Sequence, residues 1–313
     1  MKWLVLGLLL LTAPAWSQEA VLFPVVRTIE SPPARILAQE GLEGAVDRIA
    51  DVWVDAASDV ANELGLDAPR PVAIYVLNDR TFTGWARGLL PEWGVGFANW
   101  PDGPIALNVG AITRGVKPLP LVLKHEISHV YLGQRLDGVR PPSWFVEGVA
   151  QIQADEWGFG DTMSLVQVAS VGALPRLSEL VRSFPAGGKR AELAYRVSLR
   201  AVNDLDGRLA DRGGWPVLVA EVAERGDFLA AFQSTVGMNL PAYETEFMSS
   251  LRVRYGWIAA LAGATSTFTV MTLLFLMGVW RAKRKKWRRM REMEEEEAAM
   301  AFEAWDERRA GSE

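Results

Sequence analysis

The sequence predicts an α+β fold: a small sheet, then a helix that carries the chemistry, then a mostly helical C-terminal part, with one transmembrane helix near the end. Three observations predict it. Short β-branched runs bounded by turn residues cluster between Val72 and Val109. From Leu119 onward the segments read as helices broken by glycine and proline. Trp257 to Trp280 is a run of 24 residues without a charge.

Taken in chain order, Met1 to Ser17 reads as a secretory signal peptide. Lys2 supplies the positive start, Trp3 to Leu11 the apolar run, and Ala15-Trp16-Ser17 the small residues for cleavage before Gln18. Pro32 to Leu66 places Ile36, Leu37, Val46, Ile49, Trp53, Val60 and Leu64 at helical spacing, which predicts one or two amphipathic helices stopped by Gly65. Val72 to Leu77, Gly94 to Trp100 and Ile105 to Val109 are strand candidates, the last two joined by the turn Pro101-Asp102-Gly103-Pro104. Leu119 to Gly133 reads as a helix opened by Pro118 and Pro120. A second helix runs from Trp144 to about Trp157, with Ser143 placed to cap it. Helices follow over Leu177–Phe184, Ala191–Leu205, Trp215–Glu224, Asp227–Val236 and Pro241–Tyr255.

As a helix, Trp257 to Trp280 would measure about 36 Å, against about 30 Å of bilayer hydrocarbon. Eight basic residues and no acid lie between Arg281 and Arg291. The positive-inside rule puts that end in the cytoplasm and residues 18–256 outside it. The expected arrangement is a signal peptide over 1–17, an extracytoplasmic domain over 18–256, a single span over 257–280 that contacts the lipid bilayer, and a charged cytoplasmic tail over 281–313.

Composition removes several chemistries. There is no cysteine, so disulfides, thiolate metal sites and cysteine nucleophiles are excluded. The net charge is −5. Residues 18–256 hold 29 acidic and 22 basic side chains, a balance of −7 with no basic surplus for a nucleic-acid partner.

Only two histidines occur, in His125-Glu126-Ile127-Ser128-His129. On a helix, positions i and i+4 lie one turn apart on the same face, so two imidazoles can meet one ion. Glu126 is rotated about 100° from His125, near enough to reach a water on that ion but poorly placed to ligate it. A catalytic zinc takes three protein ligands and leaves one position open. With no third histidine and no cysteine, the third ligand must be a carboxylate. Glu147, 18 residues after His129 at the start of the next helix, is the leading candidate, and Asp137 the alternative.

HEISH followed by Trp144 to Gln151 (WFVEGVAQ) resembles the gluzincin metallopeptidases, the thermolysin-like group called peptidase MA. Their pattern is HExxH, a spacer, then Glu in an E-x-x-A context, which Glu147-Gly148-Val149-Ala150 matches. The resemblance spans Val72 to Tyr255 and implies a zincin-like fold. It implies zinc on His125, His129 and Glu147, a zinc-activated water, and Glu126 as general base for peptide hydrolysis. It also implies an edge strand that pairs with substrate, the place Ile105 to Val109 would take. The donor for the oxyanion would be Tyr195, with Arg196 in reserve. Gln151 stands where relatives place a carboxylate that orients a ligand histidine. The expectation is a membrane-anchored zinc peptidase acting on peptides or proteins outside the cytoplasm. The alternative is a zinc-containing binding or assembly module of the same fold that does not cleave.

Overall fold

In the computed structural model, the chain is described over residues 25–31, 33–86, 94–156, 174–182, 184, 188–254, 268–281 and 283–284. It divides into two compact units, one over residues 1–165 with 174–248, the other over 166–173 with 249–313.

The first unit is a mixed α+β fold, mostly helical, with one sheet. Its strands are β1 (Val25–Ser31), β2 (Ala34–Gln39), β3 (Val72–Leu77), β4 (Gly96–Ala98) and β5 (Ile105–Asn108), in the order β1-β2-β3-β5-β4. β2, β3 and β5 run parallel, while β1 and β4 run antiparallel at the two edges. The helices include α1 (Glu43–Leu64), α2 (Asp79–Ala86), α3 (Val109–Thr113), α4 (Leu119–Arg135), α5 (Ser143–Gln153), α6 (Gly188–Arg208), α7 (Pro216–Arg225) and α8 (Phe228–Val236), and residues 240–248 are helical as well.

The two-residue period of the strands sorts side chains onto two faces. Tyr75, Ala106 and Phe97 lie in register on one face, where Phe82 and Trp85 of α2 cover them. Val76, Leu107 and Gly96 lie in register on the other. On that face the site for a Cβ on Gly96 is already occupied by Glu126 and Val122 of α4.

α1 buries Val46, Ile49, Trp53, Ala57, Val60 and Leu64, a stripe at intervals of three and four. It ends at Gly65, whose φ of +61° a left-handed cap requires. α4 packs along this stripe, with Tyr131 edge-on to Trp53 at 6.3 Å and Lys124 paired to Asp59 at 2.7 Å. α5 seats Trp144 and Phe145, both fully buried, among Phe228, Phe232 and Tyr243.

Several expectations change here. Ile36 and Leu37 belong to β2, not to a helix. The apolar run there is only Ile36-Leu37-Ala38, too short for periodicity to separate strand from helix, and it merges with the helical pattern that follows. Gly133 lies inside α4 instead of ending it. A Cβ there would sit 2.6 Å from Cα of Pro101, so the missing side chain lets α4 approach the β4–β5 turn. Ser143 does not cap α5; Pro142 is the cap residue, and the Ser143 hydroxyl donates to the Val181 carbonyl at 3.3 Å. Leu177–Leu180 forms only a 3₁₀ turn.

The transmembrane expectation is corrected. Among the described residues, no helix is long and apolar enough to cross a membrane. Within 257–280 the described residues, 268–280, are helical, and residues 257–267 lie outside the described residues. A charge-free run measures hydropathy, and a span needs helix length as well. The single-pass topology, with the placement of domain and tail that followed from it, is therefore withdrawn. Met1 to Ser17 and residues 285–313 lie outside the described residues.

Gly148 controls how closely α5 meets α6. A Cβ there would stand 2.6 Å from the Ser198 carbonyl oxygen and 2.5 Å from Val202. Alanine gains about 1 kcal/mol in helix propensity, but overpacking against backbone costs about 1–3 kcal/mol. Gly148→Ala is therefore expected to lower the urea midpoint. Gly44→Ala, with open space around it in α1, should leave the midpoint level or raise it. Equal behaviour of the two variants would contradict this packing.

Candidate metal centre

α4 supplies three of the residues singled out by sequence. His125 and His129 stand one turn apart with ring centroids 4.8 Å from each other. α5 folds back across α4 and brings Glu147 to them. Oε2 of Glu147 lies 3.6 Å from Nε2 of His125 and 3.6 Å from Nε2 of His129. One ligand atom from each of the three residues falls within 4.8 Å of the others. Asp137 is not in this group; it turns the chain after α4 with φ +48°.

These residues fit a cation. Oε2 of Glu147 is buried and has no hydrogen-bond partner, a costly state for a carboxylate oxygen. Tetrahedral ligands at about 2.1 Å from a metal stand about 3.4 Å apart, close to the two 3.6 Å separations. The donor set is two imidazole nitrogens and one carboxylate oxygen, which suits zinc and its first-row neighbours. The side chains of His125, His129 and Glu147 are 12%, 14% and 20% exposed, so the group is enclosed but open on one side.

The electrostatics of the side chains alone point the same way. Glu126, Glu147 and Glu156 crowd the two imidazoles. Burial pushes the Glu126 carboxyl up to about 7, with the Glu147 charge adding and His125 opposing. Burial also opposes ionisation of Glu147, but His129 and His125 outweigh it and lower its pKa. Burial holds His129 down to about 4, so its nitrogen keeps a free lone pair at neutral pH. Burial likewise disfavours the charged form of His125, yet Glu156, Glu147 and Glu126 prevail and raise it. The net demand of the cluster is for positive charge.

Tyr195 lies on α6. The negative charge of Glu147, then burial, then Glu126 and Glu156 raise its pKa, so its hydroxyl stays protonated beside the carboxylates. Its ring packs on Phe184 at 4.7 Å. Arg196 is paired with Glu192, one turn back on the same helix. Gln151 donates from Nε2 to the carbonyls of Glu147 and Tyr195, at 3.0 and 2.9 Å. It ties α5 to α6 and does not turn to a histidine.

Three contributors escaped the sequence reading. Glu156 places Oε1 3.0 Å from Nδ1 of His125, and Lys117 holds that same oxygen at 2.7 Å. Gly96 of β4 rests on the Glu126 side chain, where an added Cβ would come to 2.8 Å of Oε1. The edge strand beside α4 is β4, not Ile105 to Val109, because β5 is paired on both sides. A separate cavity of about 630 Å³ lies between α1 and α4, lined by Trp53, Asn62 and Tyr131, and holds none of the ligand residues. No family model matches the chain, and no curated protein matches it.

A ligand that binds only the folded chain stabilises it by about 2.7 kcal/mol at a hundred times its dissociation constant. Zn²⁺ or Co²⁺ at that level should raise the unfolding free energy of the full chain accordingly. His129→Ala should lose this gain and stay folded by circular dichroism. Equal stabilisation of both proteins would place the ion elsewhere.

Proposed function

We propose that this chain is a zinc-dependent peptidase of the gluzincin kind. The observation that carries the reading is Glu147 Oε2, unpartnered and equidistant from Nε2 of His125 and His129. The adjoining Glu126 is buried and faces β4. His125, His129 and Glu147 hold the zinc. When bound, zinc supplies Lewis acidity, which brings a water's pKa toward 7 and polarises a peptide carbonyl.

The rest of the work falls to the protein. Glu126 accepts the proton of the attacking water at its carboxylate and passes it to the leaving amine. A carboxyl near pKa 7 is matched to that exchange at neutral pH. Tyr195, kept protonated by the surrounding carboxylates, donates its hydroxyl to the oxygen that gains charge as the carbonyl is attacked. β4 is an edge strand, so an extended peptide can pair with it by backbone hydrogen bonds. Because Gly96 has no side chain, a peptide on that edge passes close to the Glu126 carboxylate.

The test is metal content and peptide cleavage by the full chain. Glu126→Gln should keep one zinc per chain and lose cleavage by about 10²–10⁴-fold, the usual worth of a general base. Tyr195→Phe should lower kcat by about 10²-fold or more, the typical worth of an oxyanion donor. A Glu126→Gln protein that still cleaves would remove the assignment of the base. A zinc-loaded wild-type chain that cleaves nothing in a broad peptide library would contradict the peptidase reading.

A further inference from the structure

We infer that Glu156, braced by Lys117, is the residue that positions His125 for metal binding. The inference rests on the metal site proposed above and adds to it a residue outside the HEISH and WFVEGVAQ segments. A histidine ligand is held in one tautomer and one orientation when its second nitrogen faces a carboxylate. At His125 that second nitrogen is Nδ1, and the carboxylate facing it is Glu156, 3.0 Å away. The Glu156 side chain is 10% exposed and its Oε1 also meets Nζ of Lys117 at 2.7 Å. Gln151 is engaged with two backbone carbonyls and leaves the role open.

The backbone shows how Glu156 reaches the site. α5 ends in a Schellman turn, in which the Asp155 amide donates to the Ile152 carbonyl and the Glu156 amide to the Gln151 carbonyl, each at 3.0 Å. Asp155 adopts φ +52°, a left-handed conformation that aspartate tolerates better than most residues. That reversal ends the helix and turns Glu156 back toward α4. A continued helix would carry residue 156 two turns and more beyond Glu147, away from the imidazoles. Lys117 precedes α4 at its Pro118 cap, so the brace also joins the entry of α4 to the exit of α5. The contact with His125 is at ion-pair distance but off the hydrogen-bond axis.

The test compares zinc affinity by chelator competition and the visible absorption of the Co²⁺-substituted protein, for wild type, Glu156→Gln and Lys117→Met. Loss of such a supporting carboxylate costs about 10–100-fold in metal affinity. Glu156→Gln should show that loss with one metal per chain retained, and its Co²⁺ band should change in position or intensity. Lys117→Met, which keeps the carboxylate but frees it, should show a smaller loss in the same direction. Wild-type affinity and an unchanged Co²⁺ band in Glu156→Gln would overturn the inference and leave the three-ligand site standing. If Glu156→Gln does not fold, Lys117→Met decides, and wild-type affinity and spectrum there would overturn it. A wild-type chain that binds neither metal would instead remove the site on which the inference rests.

Discussion

Three carboxylates and two imidazoles share one enclosed corner of this protein, and that surplus of buried negative charge is the constraint the rest of the site answers to. Burying an unpaired charge is expensive, and the cost is met only by an opposite charge or by neutralisation. Lys117 serves one carboxylate, Glu156. The Glu147 oxygen between the two imidazoles makes no hydrogen bond. A divalent cation answers that demand with the donor atoms already within reach of one point. The architecture around it is what keeps these groups together. α1 and the sheet hold α4 from two sides, and Gly148 and Gln151 lock α5 to α6.

Close approach of backbones recurs as the means of building the site. Gly96 brings β4 onto Glu126, Gly133 brings the β4–β5 turn onto α4, and Gly148 brings α6 onto α5. At each place the absent side chain is filled by a neighbour, so the glycines set distances between elements. This is why the edge strand, the helix with both histidines and the helix with Glu147 converge within one small volume.

Much of this was legible in the sequence, and the failures have physical causes. β3 and β5 stood out because β-branched runs lie between turn residues. α4 and α5 stood out because they carry His125, His129 and Glu147 in a fixed spacing. The His125–His129–Glu147 cluster was legible because no other histidine and no cysteine exist and because WFVEGVAQ offers a carboxylate on the next helix. β2 is a strand where a helix is expected because its short run, Ile36-Leu37-Ala38, merges with the helical pattern of α1. The edge role passed to β4, three residues long, because strand order depends on pairing between distant segments. Glu156 was hidden because its position depends on one left-handed residue, Asp155, and continued helix would have carried it away. The membrane span has no support among the described residues, because a charge-free run does not by itself fix a helix.

The proposed site holds one metal ion between His125, His129 and Glu147. X-ray absorption on the zinc-loaded full chain tests it most directly. The expected result is two imidazole nitrogens with carboxylate oxygen, all at about 2.0–2.2 Å, in a four-coordinate shell. A six-coordinate shell of oxygen without imidazole scattering, or a shell unchanged in His129→Ala, would contradict it.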